Sequence, residues 1–250
     1  MRDPLHALLL FMMVLLAGCA HAPGYPPQAI GRPENVTDFT ALYNENCAAC
    51  HGANGQNGPA MDLANPEYQA LVDDASLRKW ISGGMPGTEM PAFAQSAGGM
   101  LTDAQIGAII AGMRKAWSQP NAFAGATPPP YAQYAAGDSA HGQQVYGDRC
   151  AKCHQSSKQE ITGPEYLSLV SDQALRSIII TGRPDIGQPD WRLGPASSPD
   201  GRPVVSTQDV DDVVAYLASL RTPAQAANAA TTQPKAAQPA SAKGPGGEKK

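Results

Sequence analysis

Charge is scarce in this sequence, and neither sign dominates it. Only 16% of the 250 residues are charged, and the formal net charge is −4. Proteins that bind nucleic acid through its phosphates carry a clear basic excess, so this balance argues against a nucleic-acid partner. Residues 222–250 carry +3, which leaves −7 on the body of the chain, and this negative charge suits a cationic protein partner or none in particular. No stretch alternates between apolar and polar residues for long enough to predict a β-sheet.

The apolar run near the N-terminus is too short to span a membrane comfortably. It extends from Leu8 to Leu16 and ends in small residues, which predicts a cleaved export signal over residues 1–18. The sequence Leu-Ala-Gly-Cys that closes it resembles the lipobox of bacterial lipoproteins. That resemblance implies that Cys19 is lipidated and begins a tether of residues 19–35. An ordinary signal followed by a chance cysteine is the alternative.

Cysteine is also rare, and four of the five cysteines fall in two C-x-x-C-H motifs. The motifs are Cys47-Ala-Ala-Cys50-His51 and Cys150-Ala-Lys-Cys153-His154. Cysteines three apart on a helix lie on one face, so two sulfurs can bond the vinyl groups of a haem while the adjacent imidazole ligates the iron. The motifs therefore predict two covalently bound haem c groups. Disulfides or zinc are alternatives, but neither explains a histidine after both pairs.

An internal repeat of about a hundred residues surrounds the two motifs. Pro66-Glu67-Tyr68 matches Pro164-Glu165-Tyr166, and LTDAQIGAIIAGM at 101–113 matches VSTQDVDDVVAYL at 205–217. We therefore predict domain one over residues 36–117 and domain two over residues 138–221. A Pro/Ala-rich, semi-rigid linker is predicted over 118–137, and a disordered tail over 222–250.

Both domains are predicted to be helical. Thr37, followed by Asp38, is predicted to cap a helix that enters the first cysteine pair, and residues 143–149 are its counterpart. Short helices are predicted over residues 75–81 and 173–180. Thr102 and Ser206 each cap a last helix with apolar residues at i, i+3, i+4 and i+7. Cores this small need something else to fill their interiors.

Domain one resembles the class I cytochrome c domains. The residues that carry the resemblance are the C-x-x-C-H-G motif, Gly58-Pro59, Met90-Pro91 and the last amphipathic helix. Domain two resembles the same family, and the chain resembles a dihaem cytochrome c lipoprotein. This implies an all-α fold of two tandem haem-binding domains, in which His51 and His154 are axial iron ligands and Met90 is the sixth ligand of haem one. Met85 also precedes a proline and is the rival, although its repeat partner is Arg183.

Domain two contains no methionine, because the last one in the chain is Met113. Gln188 falls on Met90 in the repeat, and Gln155 stands where the family has glycine after the histidine. The far side of haem two therefore lacks a thioether from its own domain.

Three interpretations of the second iron stay open. Gln188 ligates it weakly, the site is open or water-bound, or another side chain such as His141 or Lys158 replaces the ligand. Without sulfur the potential should fall, so haem one is expected to be the high-potential centre and electrons to pass from haem two to haem one. Arg183 or Arg192 could hydrogen-bond a haem propionate or a distal ligand, but we interpret both as exposed surface arginines.

Beyond the haems, the sequence shows no nucleophile or acid–base pair. The leading interpretation is a lipid-anchored dihaem cytochrome on the periplasmic side of a bacterial envelope. It relays electrons between envelope redox partners, as a shuttle or as a subunit of a respiratory or photosynthetic complex. The alternative is a dihaem enzyme, peroxidase-like or a sulfur-compound dehydrogenase, with an open or weakly ligated second haem. No distal Glu or His supports the peroxidase, and every cysteine already has a role.

Overall fold

The computed structural model describes residues 32–132, 135–155, 160–192 and 205–223. The chain divides into a unit of residues 1–36 and a compact unit of residues 37–250. The described part of the first unit holds a single 3-10 turn, Pro33–Asn35. Several predicted features lie outside the described residues: the export signal, the lipidation site Cys19, Lys158 and nearly all of the tail.

Ten α-helices and no strand are found in the described residues, which confirms the all-α class. Domain one contains α1 (Phe39–Asn46), α2 (Ala48–His51), α3 (Pro66–Leu71), α4 (Asp74–Gly83) and α5 (Asp103–Trp117). Domain two contains α6 (Ser139–Arg149), α7 (Ala151–His154), α8 (Pro164–Leu169), α9 (Asp172–Thr181) and α10 (Thr207–Ser219). None of the helices in these ranges combines the length and hydrophobicity needed to cross a membrane.

The helices begin at residues that cap them. Thr102 and Ser206 each form a capping box at the start of α5 and α10, as predicted. Asp38 accepts a hydrogen bond from the Ala41 backbone N–H at 2.8 Å and so starts α1. Helix α6 begins four residues earlier than predicted, because Asp138 caps it in the same way.

The last helix of each domain buries the predicted apolar stripe. In α5 and α10 every residue of this stripe is at most 4% exposed: Ile106, Ile109, Ile110 and Met113, and Val210, Val213, Val214 and Leu217. The repeated i, i+3, i+4, i+7 pattern therefore marks the core-facing side of both helices.

The first and last helices cross in each domain, and a glycine allows the close approach. In domain one the glycine is Gly112 of α5, where an added Cβ would come 2.2 Å from the ring of Phe39. In domain two it is Gly142 of α6, where a Cβ would come 1.9 Å from the backbone oxygen of Asp212 and 3.0 Å from Cβ of Tyr216. In domain one the first helix carries the large residue and the last helix the glycine, whereas in domain two the first helix carries the glycine and the last helix the large residue.

The linker packs against both domains. The Tyr131 hydroxyl accepts a hydrogen bond from Nε1 of Trp80 in domain one at 2.8 Å. Its carbonyl accepts one from Nε2 of Gln173 in domain two at 2.7 Å. Phe123 lies edge-on to Trp191, with ring centroids 5.5 Å apart. The described linker residues are therefore part of the packed fold rather than a free spacer.

A third apolar cluster joins the domains. It consists of Phe123, Ile180, Trp191, Val205 and Val210, with Leu71 of domain one packed against it. Polar contacts surround it. Asn65 is 2% exposed and donates to the Thr181 carbonyl at 2.9 Å, and Arg192 pairs with Glu67 at 3.2 Å.

Candidate haem sites

The two C-x-x-C-H motifs adopt the same backbone geometry. The first cysteine of each ends one helix and starts a one-turn helix, α2 or α7, that closes on the histidine. The backbone N–H of His51 bonds the Cys47 carbonyl at 3.0 Å, and that of His154 bonds the Cys150 carbonyl at 3.1 Å. All four motif cysteines are free thiols.

The first thiol of each motif is held in its protonated form. Burial, with a smaller contribution from the second cysteine of the motif, raises the pKa of Cys47 to about 11 and that of Cys150 to about 11.

The His51 imidazole is oriented by a backbone oxygen. Its Nδ1 lies 2.8 Å from the Met61 carbonyl oxygen, which accepts only if Nδ1 carries the proton. Nε2 then holds the lone pair that a metal ligand needs. Burial lowers the pKa of His51, so the ring stays neutral. The role of the Met61 carbonyl was not foreseen, because nothing in the sequence marks a backbone acceptor.

The loop after His51 packs directly on α2. Gly52 has a φ of 81°, and a Cβ there would overlap the Gln56 carbonyl. At Gly58 a Cβ would come 2.3 Å from the Cys50 carbonyl oxygen. In domain two, Gln155 has a φ of −87°, so the chain leaves α7 by a different path. This explains why a non-glycine residue is accommodated there.

Met90 lies in a loop that glycine permits. Gly84 has a φ of 70°, and a Cβ there would come 2.7 Å from the Met90 carbonyl oxygen. The same oxygen accepts a hydrogen bond from the Met85 N–H at 3.0 Å. The Met90 side chain packs against the core of domain one. This contact is that of a core methionine, and the role of Met90 as sixth ligand stays a prediction.

Gln188 occupies the equivalent place in domain two. Gly182 has a φ of 70° and approaches the Gln188 carbonyl oxygen as Gly84 approaches that of Met90, again at 2.7 Å from an added Cβ. The Arg183 N–H donates to the Gln188 carbonyl at 3.0 Å. The Gln188 side chain donates from Nε2 to the Ile178 carbonyl at 3.4 Å, which leaves Oε1 as the atom that can approach a metal.

Three other candidate residues have different surroundings. His141 lies at the α6–α10 crossing, where its Nδ1 is 2.7 Å from Oδ2 of Asp212. The interpretation of Arg183 and Arg192 as surface residues is wrong. Arg183 is 7% exposed, and Arg192 binds the Phe123 carbonyl and Glu67. Both arginines contact residues distant in sequence, which local patterns do not reveal.

Comparison with known families agrees with this geometry. Residues 34–111 match the family model described as cytochrome c oxidase, cbb3-type, subunit III. Residues 139–221 match the model described as cytochrome c. The chain contains two tandem cytochrome c-type domains. Such domains imply covalently bound haem c, and the free thiols, the neutral imidazole and the glycine-bounded loops of this chain fit that group.

Three curated relatives show similarity over part of their length. A dihydro-heme d1 dehydrogenase of Pseudomonas aeruginosa is 39% identical over 71 residues, which are 28% of this chain and 13% of the relative. The cbb3-type cytochrome c oxidase subunit CcoP of an Azospirillum species is 33% identical over 130 residues, 48% of this chain and 39% of the relative. The cbb3-type cytochrome c oxidase subunit FixP of Sinorhizobium medicae is 27% identical over 133 residues, which are 48% of this chain and 38% of the relative. The matches thus span well under half of each relative.

Among solved structures, one chain of the reducing HAO-like protein complex of Kuenenia stuttgartiensis is similar. The match covers 77% of this chain and 100% of that chain. The identity is 18% and the TM-score 0.44.

Proposed function

We propose that this protein is a dihaem c-type cytochrome that relays electrons between redox partners of the bacterial envelope. The observation that carries the proposal is the repeated pairing of a one-turn C-x-x-C-H helix with a loop closed beside a left-handed glycine. When bound, haem c supplies one-electron transfer through its iron. The protein would hold each haem in an apolar interior and supply the side chains that ligate its iron.

Seven side chains have assigned roles in this proposal. The four cysteines of the motifs hold the haems covalently, and His51, His154 and Met90 ligate iron. In domain one, the Met61 carbonyl fixes the imidazole tautomer and Gly84 permits the loop that carries Met90. In domain two, the same loop presents Gln188. We propose that haem two therefore has the lower potential, since oxygen or no ligand replaces a soft thioether.

The relatives named as cbb3-type oxidase subunits support a partner of the terminal-oxidase class. The N-terminal segment supports export and attachment to the membrane through lipid on Cys19. The wild-type protein should incorporate labelled palmitate, and a Cys19→Ser variant should not. Equal labelling of the two proteins, or none of the wild type, would reject the lipid anchor and leave the relay role standing.

Gln188 also favours a second candidate, an enzyme whose second iron accepts an exogenous ligand. Absorption and resonance Raman spectra of the ferrous protein with and without carbon monoxide separate the two functions. Relay predicts two low-spin haems that ignore carbon monoxide. If half of the haem is high-spin and binds carbon monoxide, and Gln188→Met abolishes this, the second site is open and the enzyme is favoured.

The repeat supplies the matched control for that experiment. Met90→Gln should give haem one the spectrum and the lowered potential of haem two, because the two loops hold residues 90 and 188 in the same way. Met85→Gln removes the rival thioether from the same loop and should leave both haems unchanged. If Met85→Gln alters haem one and Met90→Gln does not, the assignment of the sixth ligand is wrong.

A further inference from the structure

The position of the loop of residues 57–61 affects His51, the candidate ligand of haem one. Its Gly58 lies against α2, and the Ala60 N–H bonds the Cys50 carbonyl at 2.9 Å. Its last residue, Met61, supplies the carbonyl that fixes His51. A group that holds this loop therefore acts on the imidazole through one hydrogen bond.

Domain two holds the loop from outside. Arg183 donates from a terminal guanidinium nitrogen to the Gly58 carbonyl at 3.1 Å. The Asn57 N–H donates to Oδ2 of Asp185 at 2.9 Å. Arg183 and Asp185 also form a bidentate pair, with both N–O distances at 2.8 Å. Their side chains are 8% and 0% exposed, so both charges are desolvated and fixed in position.

The pair also sets the charge near the imidazole. The Arg183 guanidinium bonds the Gly58 carbonyl, three residues before the Met61 carbonyl that bonds the imidazole. Asp62 is 3% exposed, and burial followed by the Asp185 charge raises its pKa to about 6. The nearby phenol of Tyr166 has a pKa raised by burial and opposed by Arg183. One cation thus balances two carboxyl groups in this region.

We infer that Arg183 and Asp185 of domain two are positioning residues for haem one: the ion pair is fixed against the loop that bonds His51, and it balances the charge beside that ligand. The inference rests on the proposed function, because it requires His51 to ligate a haem iron. Both residues lie on the loop that carries Gln188, so one segment of domain two serves both candidate sites.

The test measures both midpoint potentials by spectroelectrochemistry on the full, haem-loaded chain. Arg183→Gln leaves Asp185 and Asp62 uncompensated, which favours ferric iron and lowers the potential of haem one. Asp185→Asn leaves the guanidinium uncompensated and raises it. Each shift should be roughly tenfold in the ferrous-to-ferric ratio at a fixed applied potential, about 59 mV for a one-electron couple. Glutamine is chosen at position 183 so that no new thioether enters the loop of Gln188.

Shifts of the haem-one potential that are opposite in sign in the two single variants distinguish charge balance from a pair that only holds the two domains together. Loosening the loop would shift both variants in the same direction, whereas the double variant Arg183→Gln/Asp185→Asn should return near the wild-type potential. Arg192→Gln is the matched control, because Arg192 also joins the domains but contacts Glu67, Asp190 and Phe123 rather than the loop. It should lower the melting temperature and leave haem one unchanged.

Two results would overturn the inference: shifts of equal sign in the single variants, or a haem-one potential that ignores both. Asp185→Asn keeps the size of the side chain and so provides the test if Arg183→Gln does not fold. Haem content separates this failure from failure of the proposed function. A wild-type chain that carries fewer than two covalent haems rejects the dihaem cytochrome, whereas two haems with unmoved potentials reject only the positioning role.

Discussion

Equivalent arginines of the two domains have opposite surroundings. Arg78 in domain one is exposed and reaches the Asp103 carbonyl at 3.4 Å. Its repeat partner Arg176 is buried, forms an ion pair with the buried Asp211 and donates to the Pro130 carbonyl of the linker. The linker and the second domain have enclosed a residue that the first domain leaves in water. Sequence repeats therefore conserve a position without conserving its energetic role.

A second pair of arginines shows the reverse. Arg114 lies within α5, and Arg221 follows the end of α10, so they are not equivalent in the repeat. Both nevertheless bind the same turn, Arg114 through Asp74 and the Gln69 and Val72 carbonyls, Arg221 through Asp172 and the Leu167 and Val170 carbonyls. Here the contact is conserved while the position is not.

The largest expected effect tests the comparison between the exposed Arg78 and the buried Arg176. Arg176→Met leaves Asp211 buried without its cation, so the free energy of unfolding should fall by about 3 to 5 kcal/mol. Arg78→Met, its matched control, should change it by no more than about 0.5 kcal/mol, because the residue is exposed. Urea denaturation of the full chain measures both. Equal losses in the two variants would mean that the buried Arg176–Asp211 ion pair contributes nothing to the free energy of unfolding.

The helix crossings give the next largest effect. Gly142→Ala places a Cβ against the Asp212 backbone and should destabilise the protein by about 2 kcal/mol. Gly147→Ala in the same helix meets nothing within 4 Å and should be neutral or stabilising by up to about 1 kcal/mol. Thermal unfolding compares the two.

The equivalent crossing in domain one sharpens the comparison. Gly112→Ala collides with the Phe39 side chain rather than with backbone. Phe39→Ala should therefore recover part of the stability lost in Gly112→Ala. Shortening Tyr216 should not rescue Gly142→Ala. Rescue in both domains, or in neither, would contradict the backbone-versus-side-chain distinction.

The smallest effect is the pH dependence that His141 and Asp212 give to domain two. The hydrogen bond to Asp212 raises the pKa of His141, and the nearby Asp209 and Asp138 act in the same direction. Burial alone would raise the pKa of Asp212, but hydrogen bonds from Asp138, His141 and Gln208 hold it below its usual range.

The sign of that dependence follows from the two shifts. Stability from His141 is complete below its unfolded pKa of about 6.5 and is lost as the pH rises through the higher folded value. Stability from Asp212 is complete above about pH 4 and is lost as the pH falls through its lower folded value. His141→Gln should abolish the alkaline decline, measured as melting temperature against pH. A decline that persists in this variant would assign it to another group.

Local signals predicted most of the fold, and they alone give the candidate cysteines and histidine of each haem site, which stay predictions. Caps such as Thr102 and the periodicity of α5 act within one helix, and the C-x-x-C-H motif acts within five residues. The domain interface was not predictable in this way. Arg183 binds Gly58 across 125 positions, and an arginine bound across such a distance has the same local sequence as an exposed one. The contacts of the semi-rigid linker were not predictable for the same reason, because Tyr131 binds Trp80 and Gln173, which lie far from it in sequence.

The contact between Asn65 and Thr181 has a consequence for folding kinetics. It joins residues 116 positions apart, and Asn65 also caps α3 by accepting hydrogen bonds from Glu67 and Tyr68. Closing a loop of that length carries an entropic cost that must be met before the apolar cluster around Phe123 is buried. Each domain should therefore fold quickly on its own short-range contacts, and their docking should be the slow last step. The same contacts should open first when the protein is stressed.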